Sequence, residues 1–180
     1  MKGAEMAGVI KGVPFVKQKP FWCGYACLSM VLRYWSYPLT QEKLFNYIFG
    51  KCDDEDKHST KAVIGIGNLA LGAAQLTDLK VRLYSMEVYE KLKEKIPDIN
   101  PHKILQAYIV KGIPCIVRIP DHYNVAIGFD QESNNYWFNE TNGRRIKRSF
   151  KHFDRLWQDR ATHLRYDSRY LILAIYPSNL

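Results

Sequence analysis

The chain has 180 residues, 47% of them apolar and 13% aromatic, and carries a formal net charge of +8. That length supports one compact domain with a real core and is short for two, while the composition excludes disorder and repeat architectures. No apolar run approaches the roughly 20 residues of a membrane span, and the first twelve residues lack the apolar stretch of a secretory signal.

Residues 1–180 therefore read as a single soluble, cytoplasmic domain, with 1–12 as a flexible leading segment. The cysteines at 23, 27, 52 and 115 form no Cys-x-x-Cys pair, so reduced thiols are expected rather than a disulfide framework. Outside the first helix only Cys52 and His58 stand close together, too few for zinc, and neither a metal nor a cofactor is implied. The densest basic cluster, Arg144, Arg145, Lys147, Arg148 and Lys151, is interrupted by Ile146 and Phe150 as an amphipathic strand end would be. It reads as a solvated face, and no nucleic-acid motif accompanies it.

In chain order, Trp22 to Tyr34 sets Ala26, Cys27, Met30, Val31 and Tyr34 at helical spacing and stops before Tyr37-Pro38, which predicts a buried helix. A second helix runs from Thr40, a good N-cap, to Gly50, and Cys52 to Asp56 reads as an acidic loop. Lys61 to Leu76 keeps a small-residue helical pattern, Lys80 to Tyr84 alternates as a strand, and helices follow at Glu87 to Lys95 and at Pro101 to Val110, the latter opened by its proline. After Gly112-Ile113-Pro114 the period changes to two. Strands are expected at 115–119, 123–129, 136–138, 145–150 and 170–176, with a turn at Asp130 to Asn135 and a short helix from Phe150 to Trp157. The fold class is α+β, a helical N-terminal half packed on an antiparallel C-terminal sheet.

Two segments carry chemistry. In Gln18-Lys-Pro-Phe-Trp22-Cys23-Gly24, Pro20 holds the chain extended ahead of a cysteine at the start of the buried helix. Free amides and the helix dipole there favour a thiolate. The Cys23 amide and the Gln18 side chain can both address an oxyanion, and Gly24, beside Trp22, leaves room for a substrate backbone. The other reading of Cys23 is a buried small hydrophobe, which is how Cys27 and Cys115 are read.

The second segment is Asp121-His122-Tyr-Asn-Val-Ala-Ile-Gly-Phe-Asp130. His122, Asn124, Ala126 and Gly128 share one strand face, whose small residues would let the helix starting at Cys23 pack closely and bring imidazole to thiol. His58, His102, His152 and His163 lie in polar or helix-start contexts and read as surface residues. Asn139 or Glu140 can orient the imidazole, although Asn139 to Gly143 is also a plausible turn.

Together, Gln18, Cys23-Gly24-x-Ala26-Cys27 opening an apolar helix, and His122 leading an alternating strand resemble the bacteriocin-processing, double-glycine cysteine peptidases of the papain-like clan. Gly112 to Val117, Asn139 to Gly143, Ile146 to Trp157 and Tyr170 to Tyr176 extend the likeness over most of Val13 to Tyr176. The resemblance implies a papain-like fold with Cys23 as nucleophile, His122 as base, Gln18 in the oxyanion hole and Asn139 at the family's aspartate position, with Glu140 as the alternative. Asp121 replaces the small residue that usually precedes the histidine, which places it at the entrance to the site.

The implied substrate is a peptide or protein cut through a thiol acyl-enzyme. Leader-peptide processing beside an export system is the family's usual setting. An amidase or acyltransferase built on the same site, and a non-catalytic peptide-binding module, are the alternatives.

Overall fold

In this computed structural model, residues 8–50, 64–159 and 167–180 are described. The readings of the loop at Cys52 to Asp56, of His58 and His163, and of the first turn at Lys61 to Val63 fall outside them.

The first helix, Cys23–Tyr34 (α1), buries every residue from Gly24 to Leu32. Such a helix gains its stability from packing rather than from caps, and Trp22 at its N-cap supplies no side-chain hydrogen bond. At the other end Trp35 turns its N–H back to Val31 and Leu32, and its indole donates to Ile175 O at 2.7 Å. Gln41–Ile48 (α2) begins where expected, with Thr40 Oγ1 accepting from Lys43 N. Ile66–Leu76 (α3) packs so closely on α2 that a methyl group on Gly72 would meet Ile48 at 2.5 Å. Met86–Lys93 (α4) and Pro101–Val110 (α5) follow Lys80–Tyr84 (β1), and the Asn100 side chain caps α5 ahead of its first-turn proline.

The C-terminal half supplies Cys115–Ile119 (β2), His122–Asp130 (β3), Asn135–Asn139 (β4), Arg145–Ser149 (β5), Phe150–Trp157 (α6) and Ile172–Tyr176 (β6). All pairings are antiparallel, in the order β1-β6-β2-β3-β4-β5. The helical half thus lends one strand, β1, to an edge of the sheet. Every residue of β2 and seven consecutive residues of β3 are buried, as expected for central strands covered on both faces. Helix α1 lies against β3 and β2, and α5 packs against the same pair. Burying each large apolar side chain here contributes roughly 1.5–3 kcal/mol.

Two expectations change. Gly128 does not make room for α1, because a methyl group there would meet Val9 Cα at 2.9 Å. The register also shifts between Ala126 and Gly128, so the simple alternation of faces breaks at a bulge. The N-terminal segment, expected to be flexible through residue 12, lies along β3 from Ile10, which is buried and donates its N–H to Ile127 O at 2.6 Å. The basic cluster occupies the edge strand β5, where Arg145 and Lys147 are exposed and Arg148 pairs with Glu140 at 2.8 Å. Exposed cations of this kind protect a sheet edge from adding another strand.

Candidate active site

Cys23 is the first residue of α1 and sits half-buried where that helix meets the start of β3. The backbone amides of Tyr123 and Gly24 approach its sulfur and favour the thiolate. Tyr123 directly follows His122, so the thiol is seated at the strand end that carries the imidazole. Cys27 and Cys115 are fully buried.

Burial pushes the Cys23 thiol above its ordinary range; the backbone amides of Tyr123, Gly24 and Cys23 itself and the Arg118 guanidinium pull the other way but do not outweigh it. His122 is held below the usual imidazole range, again chiefly by burial, with Glu140 opposing and Arg148 reinforcing the shift. The helix start was expected to favour a thiolate. Desolvation wins instead, and both shifts favour a neutral resting pair of thiol and imidazole.

Neither proposed orienting residue is hydrogen-bonded to the imidazole. Asn139 is fully buried, donating Nδ2 to Val13 O at 3.1 Å and accepting from Arg145 Nε at 3.3 Å, so it fastens the N-terminal segment and β5. Glu140 accepts from Arg148 at 2.8 Å and Asn142 at 2.8 Å and acts on His122 through its charge alone. The group within reach is Thr141, 1% exposed, whose Oγ1 lies 3.2 Å from His122 Nε2. The same hydroxyl donates to Gln18 Oε1, and Gln18 N donates to Thr141 O at 2.7 Å.

Gln18 is held from a second side. Gln41, 7% exposed on α2, donates Nε2 to Lys17 O at 2.8 Å and accepts from Lys19 N at 3.3 Å. Its amide thus brackets the residue whose own amide faces Thr141. Arg118, 4% exposed on β2, lies over the Tyr123 ring at 5.6 Å, and its Nη1 finds no hydrogen-bond partner.

Sequence reasoning missed Thr141, Gln41 and Arg118. Thr141 stands in the segment read as a turn, Gln41 opens a helix of ordinary composition, and a lone arginine in an apolar strand carries no motif. The otherwise unbroken apolar run of β2, in which Arg118 pairs with Tyr123, is the one signal that could have drawn attention to a buried cation.

Of the residues expected to face substrate, Gly24 and Trp22 are placed differently. Gly24 is buried, and a methyl group on it would meet Ile64 at 2.6 Å and Leu69 at 3.1 Å. Its small size therefore serves packing of the segment before α3. Trp22 is 2% exposed and stacks on Phe45 at 4.5 Å, which makes it core. Asp121 is exposed at the corner between β2 and β3 with φ 61°, a left-handed conformation that aspartate tolerates better than most residues; turn geometry accounts for its place.

His102, expected at the surface, is largely enclosed. Its two ring nitrogens lie 2.9 Å from Tyr136 OH and 2.9 Å from Asp154 Oδ1. Cavities open elsewhere: about 470 Å³ beside Ser149, His152 and Arg155, about 430 Å³ between α3 and α4, lined in part by Gly65, Leu83 and Met86, and about 280 Å³ beside Tyr84 and Tyr108. Among the described residues no cluster of metal-binding side chains occurs, and no helix is long and apolar enough to cross a membrane.

Residues 10–163 match the family described as Peptidase_C39 like. Among solved structures, the chain is similar to a double glycine motif protease from an AMS/PCAT transporter in complex with its leader peptide, at 21% identity and TM-score 0.62 over 95% of each chain. It is also similar to the peptidase domain of Streptococcus ComA, a bi-functional ABC transporter of a quorum-sensing pathway, at 14% identity and TM-score 0.57, covering 93% of this chain and 100% of that one. At these identities the likeness is one of fold. No curated protein matches the chain.

Proposed function

The chain belongs to the Peptidase_C39 like family, a cysteine peptidase of papain-like fold, and from that premise we propose that it hydrolyses a peptide bond of a leader-type peptide with Cys23 as nucleophile, His122 as base and Gln18 as oxyanion donor. The observation that carries this reading is the approach of the Tyr123 backbone amide to the Cys23 sulfur, which favours the thiolate and seats the thiol beside the residue that must deprotonate it.

From a neutral pair, His122 takes the thiol proton as sulfur attacks the scissile carbonyl. The C–S bond forms while the carbonyl electrons move onto oxygen, which in this reading the Cys23 N–H and the Gln18 amide N–H stabilise. Collapse breaks the C–N bond, and the His122 proton leaves with the amine. Water then attacks the thioester, giving its proton to His122, and the thiol is regenerated. Arg118 contributes a fixed positive charge near the developing thiolate.

The two structures of similar fold are peptidases from transporters, and the first is in complex with a leader peptide. An extended peptide cut after a double glycine, delivered beside an export system, is the substrate this supports. Synthetic peptides carrying an internal Gly-Gly, incubated with the protein and followed by mass spectrometry, should give two fragments, with none from Cys23→Ala. Adding an amine acceptor separates the rival activity, since acyl transfer leaves a conjugate and hydrolysis does not. Intact peptide together with alkylation of Cys23 that ignores His122 would leave only a binding module.

A further inference from the structure

We propose that the Thr141 hydroxyl is a positioning group that sets two things with one proton: the tautomer of His122 and the direction of the Gln18 side-chain amide. This deepens the peptidase reading and rests on it for its consequences, although the hydrogen-bond logic can be tested without any substrate.

The argument is a count of protons. A threonine hydroxyl has one donor and can accept twice, a neutral imidazole has one donor and one acceptor, and a primary amide has donors only on nitrogen. Thr141 Oγ1 gives its proton to Gln18 Oε1. Toward His122 Nε2, 3.2 Å away, that oxygen can then only accept, so Nε2 must carry the hydrogen. The bare nitrogen is Nδ1, which becomes the base. On the other side, the Gln18 oxygen is committed to Thr141, so its two N–H groups are turned away from the threonine and are free to meet an oxyanion.

The opposite arrangement fails at both ends. If Thr141 gave its proton to Nε2, the imidazole would carry hydrogen on Nδ1 and could not accept one there. Gln18 would have to offer N–H to the hydroxyl and present its oxygen to the oxyanion, which repels it. Base and oxyanion donor are therefore right together or wrong together. With Thr141 1% exposed, water is not at hand to replace its hydroxyl.

The surrounding contacts hold this geometry without the side chain. Gln18 N donates to Thr141 O at 2.7 Å, and Gln41 grips the backbone on both sides of Gln18. Asn139, at the position where the family resemblance places the orienting acid, is occupied by Val13 and Arg145. The orienting function has passed two residues along the chain.

The test uses protein labelled with 15N-histidine, with the His122 signals assigned from a His122 variant, at a pH where the ring is neutral. The wild type should show protonated Nε2 and bare Nδ1 without averaging. Thr141→Ser should keep that pattern, and Thr141→Val, which preserves shape, should lose it to tautomer averaging.

Gln18→Ala provides a second variant at a half-buried position. It frees the Thr141 proton to turn toward Nε2, so the fraction with hydrogen on Nδ1 should rise. Alkylation of Cys23 by iodoacetamide, which needs the base but no oxyanion hole, should then slow by about 10-fold or more in Gln18→Ala and Thr141→Val and recover in Thr141→Ser. A fixed Nδ1–H tautomer in the wild type, or a His122 signal indifferent to both Thr141→Val and Gln18→Ala, would overturn the proposal. Failure of peptide cleavage with the tautomer pattern intact would count against the peptidase reading alone.

Discussion

Two of the described histidines, His102 and His122, differ in their partners, and the one with the more complete set is the one with less to do. His102 has Asp154 on one nitrogen and Tyr136 on the other, Gln106 adding a bond to the same Tyr136 hydroxyl at 3.2 Å and Tyr170 one to Asp154 at 3.3 Å. The ring stacks on Phe150 and meets the edges of Phe153 and Trp157. This histidine joins α5 to β4 and α6, and with both nitrogens engaged it has none left for a reaction. His122 has a single hydroxyl on Nε2, and the backbone amide next to it faces a thiol. A histidine–carboxylate pair is thus a poor guide to a base here, because a base requires an open nitrogen beside a nucleophile.

The sharpest way to break this comparison is to exchange the fates of the two rings. His122→Ala should reduce kcat on a cleaved peptide by about 10²–10⁴-fold with little change in thermal stability. A His102→Ala protein should do the reverse, keeping its kcat within a few-fold while losing about 1–3 kcal/mol, since Tyr136 and Asp154 lose hydrogen-bond partners. Denaturant unfolding beside steady-state kinetics on both variants decides it. Comparable losses of kcat would mean that the two rings are not divided in this way.

Within the His122 region a graded series follows. Gln18→Ala should cost about 10²–10³-fold in kcat as the loss of an oxyanion donor. Gln41→Leu leaves the Lys17 carbonyl and Lys19 N–H without their side-chain partner, so it should cost less, about 10-fold, mostly in kcat because Gln18 is displaced rather than removed. Gln41→Glu retains an acceptor for Lys19 N but loses the donor to Lys17 O, and its kcat should fall between wild type and Gln41→Leu. If Gln41→Leu raised KM with kcat unchanged, Gln41 would belong to substrate binding instead.

How far the sequence disclosed these two regions differs for a physical reason. Cys23 and His122 announce themselves because each opens an element with strong periodicity, and Thr40, Asn100 and Pro101 mark their helices through local chemistry that needs no tertiary contact. Thr141 is invisible in that sense. Its role depends on where the chain goes after β4 ends at Asn139, and the hydrogen bond between Gln18 and Thr141 spans more than a hundred residues. His102 likewise looked solvent-exposed because its local context is a helix start, while Asp154, Tyr136 and Phe150 all come from later elements. Gly24 and Gly128 were recognised as positions needing a small residue, but which neighbour needs the space, Ile64 in one case and Val9 in the other, is set by packing alone.

The smallest effect concerns pH and His122. Burial holds the His122 pKa below its ordinary value, so the unfolded chain binds a proton at this residue near pH 6.5 while the folded protein does not. Unfolding is therefore favoured as pH falls from about 7 toward the folded pKa, and the effect levels off once both states are protonated. Above that window the residue contributes no slope. His122→Gln should flatten this part of the stability curve, measured by urea unfolding between pH 5 and 8 as roughly bracketing the unfolded value. The same shift sets the kinetics. The base stays neutral into mildly acidic solution, and the raised Cys23 thiol keeps the resting pair uncharged, so the acid limb of kcat/KM for peptide cleavage should lie below about pH 6.5. An acid limb above that value, or a stability slope that survives in His122→Gln, would show that His122 is more exposed to water than its contacts imply.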